Sequence, residues 1–209
     1  MNEPENQSNN GNFFGSFTSG ALLVWDFLKI VLIALVIIVP IRYYVFKPYI
    51  VSGSSMEPNF QNNQYLIVDE LTYHLRTPKR GEVIVLHYPR NPKEDFIKRI
   101  IGLPGEKIQI DNGKVTIYND EHKTGVTLDE NYLPNQGLTY EQDPIIVGGN
   151  KTVTLGKDEY FVLGDNRLAS SDSRSWGILP RKNIVGKVII RVLPLTDLDL
   201  YTHAPSYNY

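Results

Sequence analysis

The chain has 209 residues, 42% of them hydrophobic, which suffices for one ordinary domain or for one domain and an anchor. Its 21 basic and 23 acidic residues give a formal charge of -2 with no long Lys/Arg run, so it presents no basic field for nucleic acid. The absence of cysteine excludes disulfides, thiolate metal ligands and a cysteine nucleophile, and His74, His87, His122 and His203 stand apart without an HExxH spacing, against a zinc hydrolase.

Residues 1–22 are rich in Asn, Gly, Ser and Gln, bury too little apolar area to repay ordering, and read as a polar disordered tail. Residues 23–47 read as a transmembrane anchor. Within it FLKIVLIALVIIVPIRYYVF, twenty residues from Phe27, would extend about 30 Å as a helix, the thickness of a bilayer's hydrocarbon core. Lys29 and Arg42 sit near its ends, where long side chains reach the headgroups, and Trp25, Tyr43 and Tyr44 fall where an aromatic belt is expected. The uninterrupted apolar run, 30–41, has only twelve residues and would also suit a buried soluble helix. A cleaved targeting peptide fits less well, because Glu3, Glu5 and Asp26 replace a basic leader and Arg-Tyr-Tyr-Val-Phe follows the apolar run. Lys29 before the span and Arg42 and Lys47 after it leave orientation undecided by charge.

Beyond the anchor, residues 48–197 read as a mainly β domain of short strands and turns. Its clearest unit is IQIDNGKVTI at 108–117, a hairpin with Asn112-Gly113 in a primed turn. Other strands are expected at 65–69, 83–88, 96–101, 152–155, 160–163 and 186–192, all rich in β-branched or aromatic residues. Residues 119–150, with poor periodicity and Pro134, Gly137, Gly148 and Gly149, read as an inserted loop region. Residues 198–209 read as a peripheral tail.

The chemistry concentrates in VSGSSMEP (51–58), FIKRIIGLPGE (96–106) and GDNRLASSDSR (164–174). Each alone could be a turn, a tight interstrand loop or a salt-bridged loop. Lys98 carries the most information. On a strand it shares a face with Phe96 and Ile100, and burial of that face would lower its pKa toward the range a general base needs. A serine hydroxyl is a weak nucleophile that requires such a base within hydrogen-bond reach. With no carboxylate motif beside any histidine, a Ser/Lys dyad fits better than a Ser/His/Asp triad. The bland alternative is a lysine snorkelling from a sheet edge.

These motifs resemble the type I signal peptidases of bacteria and their organelles. That family shows a membrane helix, a Ser-Met pair followed by Pro, a Lys-Arg pair leading into Gly-Leu-Pro-Gly, and Gly-Asp-Asn-Arg ending in Ser-x-Asp-Ser-Arg, and all occur here in order from the anchor to about Pro194. The resemblance implies a two-sheet, largely antiparallel β catalytic domain behind one transmembrane helix. It makes Ser55 the nucleophile, with Ser52 and Ser54 as neighbouring decoys, Lys98 the base, and Ser170 the serine that orients the lysine. Asp172 and Arg174 match an ion pair holding their loop against the catalytic strand, with Asp165 and Asn166 supporting the same loop. The oxyanion hole would use the Ser55 backbone N–H; Gly53 stands where part of the family has a contributing serine hydroxyl. Val51, Met56, Phe60, Phe96 and Ile97 would line shallow substrate pockets. Asn59 replaces the usual threonine after the proline, and Leu168-Ala169 replace more polar residues before Ser170.

The implied activity is removal of signal peptides from exported preproteins after an Ala-x-Ala-like site, through an acyl-enzyme and without metal or cofactor. The implied partners are signal-peptide-bearing preproteins and the phospholipid bilayer, not nucleic acid. The implied place is the cell membrane, single-pass, with the N-terminus cytoplasmic and the catalytic domain outside. Alternatives are a pilin-maturation peptidase of the same fold, a silent membrane binding module, and the self-cleaving domain of SOS-response repressors, which lacks the anchor and the GDNR stretch. Oligomeric state is not legible.

Overall fold

The computed structural model describes residues 13–44 (side chains at 22–39), 46–133, 138–139, 152–194, 196, 198–201, 205 and 207. The chain divides into two compact units between Tyr43 and Tyr44. The first is built on α1, Phe13–Tyr44, 32 residues long. Its stretch Leu22–Val39 is long and apolar enough to cross a membrane, and Lys29 is paired with Asp26 at 3.1 Å one turn earlier. The helix takes in 13–22, part of the expected tail, because extending an established helix fixes one residue per hydrogen bond gained. It ends at Tyr44 rather than at residue 47, since Pro48 would clash with the carbonyl of Tyr44 and biases residue 47 toward extended backbone.

The second unit is mainly β. Its strands are β1 Phe46–Ile50, β2 Tyr65–Asp69, β3 Val83–Tyr88, β4 Asn91–Gly102, β5 Lys107–Asp111, β6 Lys114–Tyr118, β7 Val126–Thr127, β8 Thr152–Thr154, β9 Glu159–Leu163, β10 Leu179–Pro180, β11 Ile184–Leu193 and β12 Asp199–Leu200. Two one-turn helices, α2 Thr72–Leu75 and α3 Ser173–Trp176, sit in the connections. The large sheet runs β1-β2-β11-β3-β4-β9-β10 with β12 joined to β11, and the small one runs β7-β6-β5-β8. Every described pairing is antiparallel.

The patterns that predict the strands also build the core. On β3, Val83 and Val85 face one apolar cluster with Met56, Phe60, Leu66 and Val68, while Ile84 and Leu86 face another with Ile100, Tyr160 and Trp176, so all four are buried. A third cluster joins the sheets through Ile101, Ile108, Ile117, Phe161 and Leu163. The β5–β6 turn has φ of 50° at Asn112 and 78° at Gly113, as a primed turn requires.

The short strands β1, β7, β10 and β12 lie outside the expected set. β1 borders the sheet, where Pro48 lacks an N–H but costs no ladder bond on the open side. Residues 126–133 of the expected insertion belong to the domain: Leu128 and Leu133 are buried, and β7 pairs with β6. Residues 134–137 and 140–150 lie outside the described residues. The C-terminal segment, expected as a peripheral tail, is held to the domain where it is described: β12 pairs with β11, Tyr201 packs on Phe60 with ring centroids 4.7 Å apart, and the Tyr207 hydroxyl donates to that of Tyr132 at 3.3 Å.

Candidate active site

Strand β4 and the loop before β2 bring the two principal candidates together. Alternation on β4 puts Phe96, Lys98 and Ile100 on one face; Phe96 and Ile100 join the cluster around Trp176, and Lys98 is 2% exposed between them. Its ammonium nitrogen bends toward the neighbouring loop, donating to Ser55 Oγ at 2.8 Å and to the Ile97 carbonyl at 2.8 Å. It also lies 5.2 Å from the Phe96 ring centre. Burial lowers the Lys98 pKa from the usual 10.5 to about 8, against the opposing pull of Asp172 and Asp165. A hydroxyl and a partly deprotonated amine at this distance can exchange a proton.

The Ser55 loop is pinned on both sides. The backbone N–H of Asn166 donates to the Ser55 carbonyl at 3.0 Å, and its side-chain amide donates to the Ser54 carbonyl at 3.1 Å. On the other flank the Gly53 N–H donates to Asn62 Oδ1 at 2.9 Å. That bond engages the one backbone donor of Gly53, the residue expected beside Ser55 at the oxyanion hole, in this conformation. The Ser55 N–H, by contrast, meets no acceptor among the described residues. Sequence reasoning missed Asn62, which carries no motif and acts only through the fold.

A buried ion pair ties the 164–174 loop to β4. Arg99 Nε and Nη2 donate to the two Asp165 carboxylate oxygens at 2.8 and 2.6 Å, and the Arg99 guanidinium lies 4.2 Å from the Tyr132 ring centre. Losing one partner of such a pair typically costs about 3–5 kcal/mol, because the other is left buried and uncompensated. Asn59, the residue in the threonine position, joins this pair by donating to Asp165 Oδ2 at 2.8 Å and to the Tyr132 carbonyl at 3.0 Å. The Asp172–Arg174 pair forms as well, at 2.7 Å and fully buried. Asp172 also accepts the Gly164 N–H, just beyond β9, at 3.1 Å, and Arg99–Asp165 is a further tie between this loop and β4. Arg167 likewise anchors 126–133, donating to the Glu130 carboxylate at 2.9 and 2.6 Å.

Ser170 is buried beside this assembly, yet its hydroxyl meets no hydrogen-bond partner among the described residues, Lys98 included, in this conformation. The lysine's donors go to Ser55 and Ile97, which leaves the base-orienting role of Ser170 without a bond here.

Beside Ser55 and Lys98 opens a cleft of about 330 Å³. Val51, Phe96 and Ile97 line it as expected, together with Tyr49, Leu66, Val85 and Asp95, which were not singled out from the sequence. Met56 and Phe60 do not line it. They lie beneath the loop in the core, 1% and 0% exposed, where Met56 Sδ accepts the Asp165 N–H at 3.4 Å.

A family model described as signal peptidase, peptidase S26, matches residues 24–193. A signal peptidase I from Leptolyngbya laminosa is 36% identical over 187 residues, covering 86% of this chain and 85% of the relative. A probable signal peptidase I-2 from Synechocystis is 36% identical, covering 83% and 75%. A signal peptidase I P from Bacillus subtilis subsp. natto is 35% identical, covering 86% and 92%. These matches, with the two-sheet β domain, define the chain as a serine peptidase. It belongs to the signal peptidase family, peptidase S26, as a type I enzyme.

Proposed function

We propose that this chain removes signal peptides from exported preproteins, cutting after an Ala-x-Ala-like site with Ser55 as nucleophile and Lys98 as base. The observation that carries the reading is the 2.8 Å contact between Ser55 Oγ and a lysine nitrogen whose pKa burial brings down to about 8. With Lys98 neutral, the contact reverses and the hydroxyl donates to the amine. Attack transfers the Ser55 proton to Lys98 as Oγ bonds the scissile carbonyl carbon, while the Ser55 N–H receives the developing oxyanion. Collapse breaks the C–N bond, and the Lys98 ammonium returns its proton to the leaving amine. The resulting ester is hydrolysed by a water that gives a proton to Lys98 as it attacks. Breaking the ester then restores the Ser55 hydroxyl with that proton. Asp165, Asn166 and Arg99 hold the Ser55 loop and β4 in register, and Asp172 and Arg174 keep the 164–174 loop rigid.

The assay is cleavage of a labelled preprotein bearing an Ala-x-Ala site by the full chain in detergent and lipid. Cutting at that bond, with kcat/KM rising through a midpoint near pH 8, is expected. The sign follows from the base: below about 8 Lys98 is protonated and cannot accept, so activity falls as pH falls. At pH 7.5 roughly a quarter of the molecules hold a neutral lysine, against roughly one in a thousand for an unperturbed amine. A profile still climbing at pH 10 would argue for an ordinary lysine and against this role.

α1 would anchor the enzyme in the cell membrane in a single pass, with its N-terminus cytoplasmic and residues after about 47 outside, where signal peptides are removed. Sharing the bilayer with the substrate's apolar segment raises the effective concentration at the cleavage site. In sealed right-side-out vesicles, external protease should digest the β domain; digestion of the N-terminal segment alone would reverse the orientation.

A further inference from the structure

Among the described residues that line the cleft, Lys98 and Asp95 are the two that carry charge. Lys98 is committed to Ser55, which leaves Asp95 as the group that can oppose a charge on a substrate. Its position follows from strand register. Val85 lies opposite Ile97 and His87 opposite Asp95, and because side chains alternate, the two pairs share one face of the β3–β4 ribbon. The apolar pair lies on the floor beside Val51 and Leu66, and the polar pair follows it away from the catalytic lysine. Asp95 Oδ1 lies 2.6 Å from His87 Nδ1, and no described residue bonds its Oδ2. Tyr49 also lines the cleft, its hydroxyl pushed up to about 12 by burial and by the negative fields of Asp95 and Glu70, so it stays a neutral donor. The far end of the cleft is thus negative and polar, after a stretch that accepts small apolar groups.

We propose that Asp95, oriented by His87, is a specificity-determining residue that favours preproteins with a basic side chain at the fifth position before the scissile bond. This rests on the function proposed above. An extended substrate advances about 3.3 Å per residue, which puts its fifth residue roughly 13 Å from its first, and Asp95 stands three residues from Lys98 on β4, roughly 10 Å along the strand, so the remaining ~3 Å falls to the reach of the two side chains. With the first residue before the bond at Ser55 and the third over Val85 and Ile97, alternation brings the fifth to His87 and Asp95. The fourth and sixth face the other way. Asp95 is exposed, so solvent screening holds the preference to about five-fold between lysine and glutamate.

The test uses the full chain in detergent and lipid, with one labelled Ala-x-Ala preprotein carrying Ala, Lys or Glu at the fourth, fifth or sixth position before the bond. Ranking within each enzyme is independent of how much of it is active, and thermal unfolding verifies that each variant is folded. The parent should favour Lys over Glu at the fifth position, through KM and more strongly at low salt; Asp95→Asn should flatten the ranking and Asp95→Lys should reverse it. Cleavage of the alanine substrate by the parent carries the function reading by itself. A flat parental ranking with that cleavage intact, or a ranking that Asp95→Lys leaves in place, overturns the proposal alone. No cleavage of any substrate by the folded parent overturns the function reading and this proposal with it.

Discussion

Ser55→Ala and Lys98→Ala should each abolish preprotein cleavage, by a factor on the order of 10⁴ or more, and the double variant should be no worse than either single one, as expected of residues that act as a unit. Loss of the hydroxyl removes the atom that attacks; loss of the amine leaves a hydroxyl with nothing to take its proton. The lysine can be separated from a structural role because its burial is a cost to the fold. Its folded pKa, about 8, lies below the usual 10.5, so between those values the unfolded chain binds more protons and stability rises with pH. Below about pH 8 the full penalty, on the order of 3 kcal/mol, is in place. Lys98→Met, which fills the site without a charge, should therefore raise the unfolding midpoint at pH 7 while eliminating cleavage. Denaturant unfolding and the preprotein assay on the same sample read both effects. A Met variant that is inactive but also less stable would recast Lys98 as a structural residue, and a Ser55→Ala enzyme within tenfold of the parent would remove the nucleophile assignment.

Local pattern carried much of this architecture. The strands β2 and β3 lie where β-branched and aromatic runs place them, and Asn112-Gly113 dictates its turn because both residues tolerate positive φ. The environment of Lys98 was legible for the same reason, since alternation alone seats it between Phe96 and Ile100. What escaped the sequence depends on contacts between distant segments. Asn62 carries no motif until the fold sets its carboxamide against the Gly53 N–H, and Met56 and Phe60 look like pocket residues until the loop turns them inward. The clamp partner of Arg99 is another case. Asp165 and Asp172 occupy one short loop, and only the three-dimensional path of that loop decides which carboxylate reaches β4. Residues 126–133 are poor in periodicity because each is held by a different partner, Leu128 by the core and Glu130 by Arg167, rather than by a repeating face.

Gly164→Ala should cut kcat by about 100-fold with little change in KM, although it adds only one carbon. A Cβ at this position would overlap the Ser55 carbonyl oxygen and the Ser170 side chain. The glycine cannot retreat, because its N–H donates to Asp172 Oδ2 at 3.1 Å and its carbonyl accepts Arg167 Nε at 3.0 Å. Nor can the Ser55 carbonyl move freely, since the Asn166 N–H holds it at 3.0 Å. The strain therefore passes into the Ser55 loop, and a displacement near 1 Å between nucleophile and base is enough for the hundred-fold loss. Overpacking itself should cost about 1–3 kcal/mol, so unfolding remains cooperative at a lowered midpoint. Gly156→Ala is the control, because the Cβ there would meet only the Glu159 carboxylate, the mobile end of a side chain that can swing aside. If Gly164→Ala kept its parental kcat while losing only stability, the Ser55–Lys98 spacing would be set by something other than this packed crossing of loop and strand.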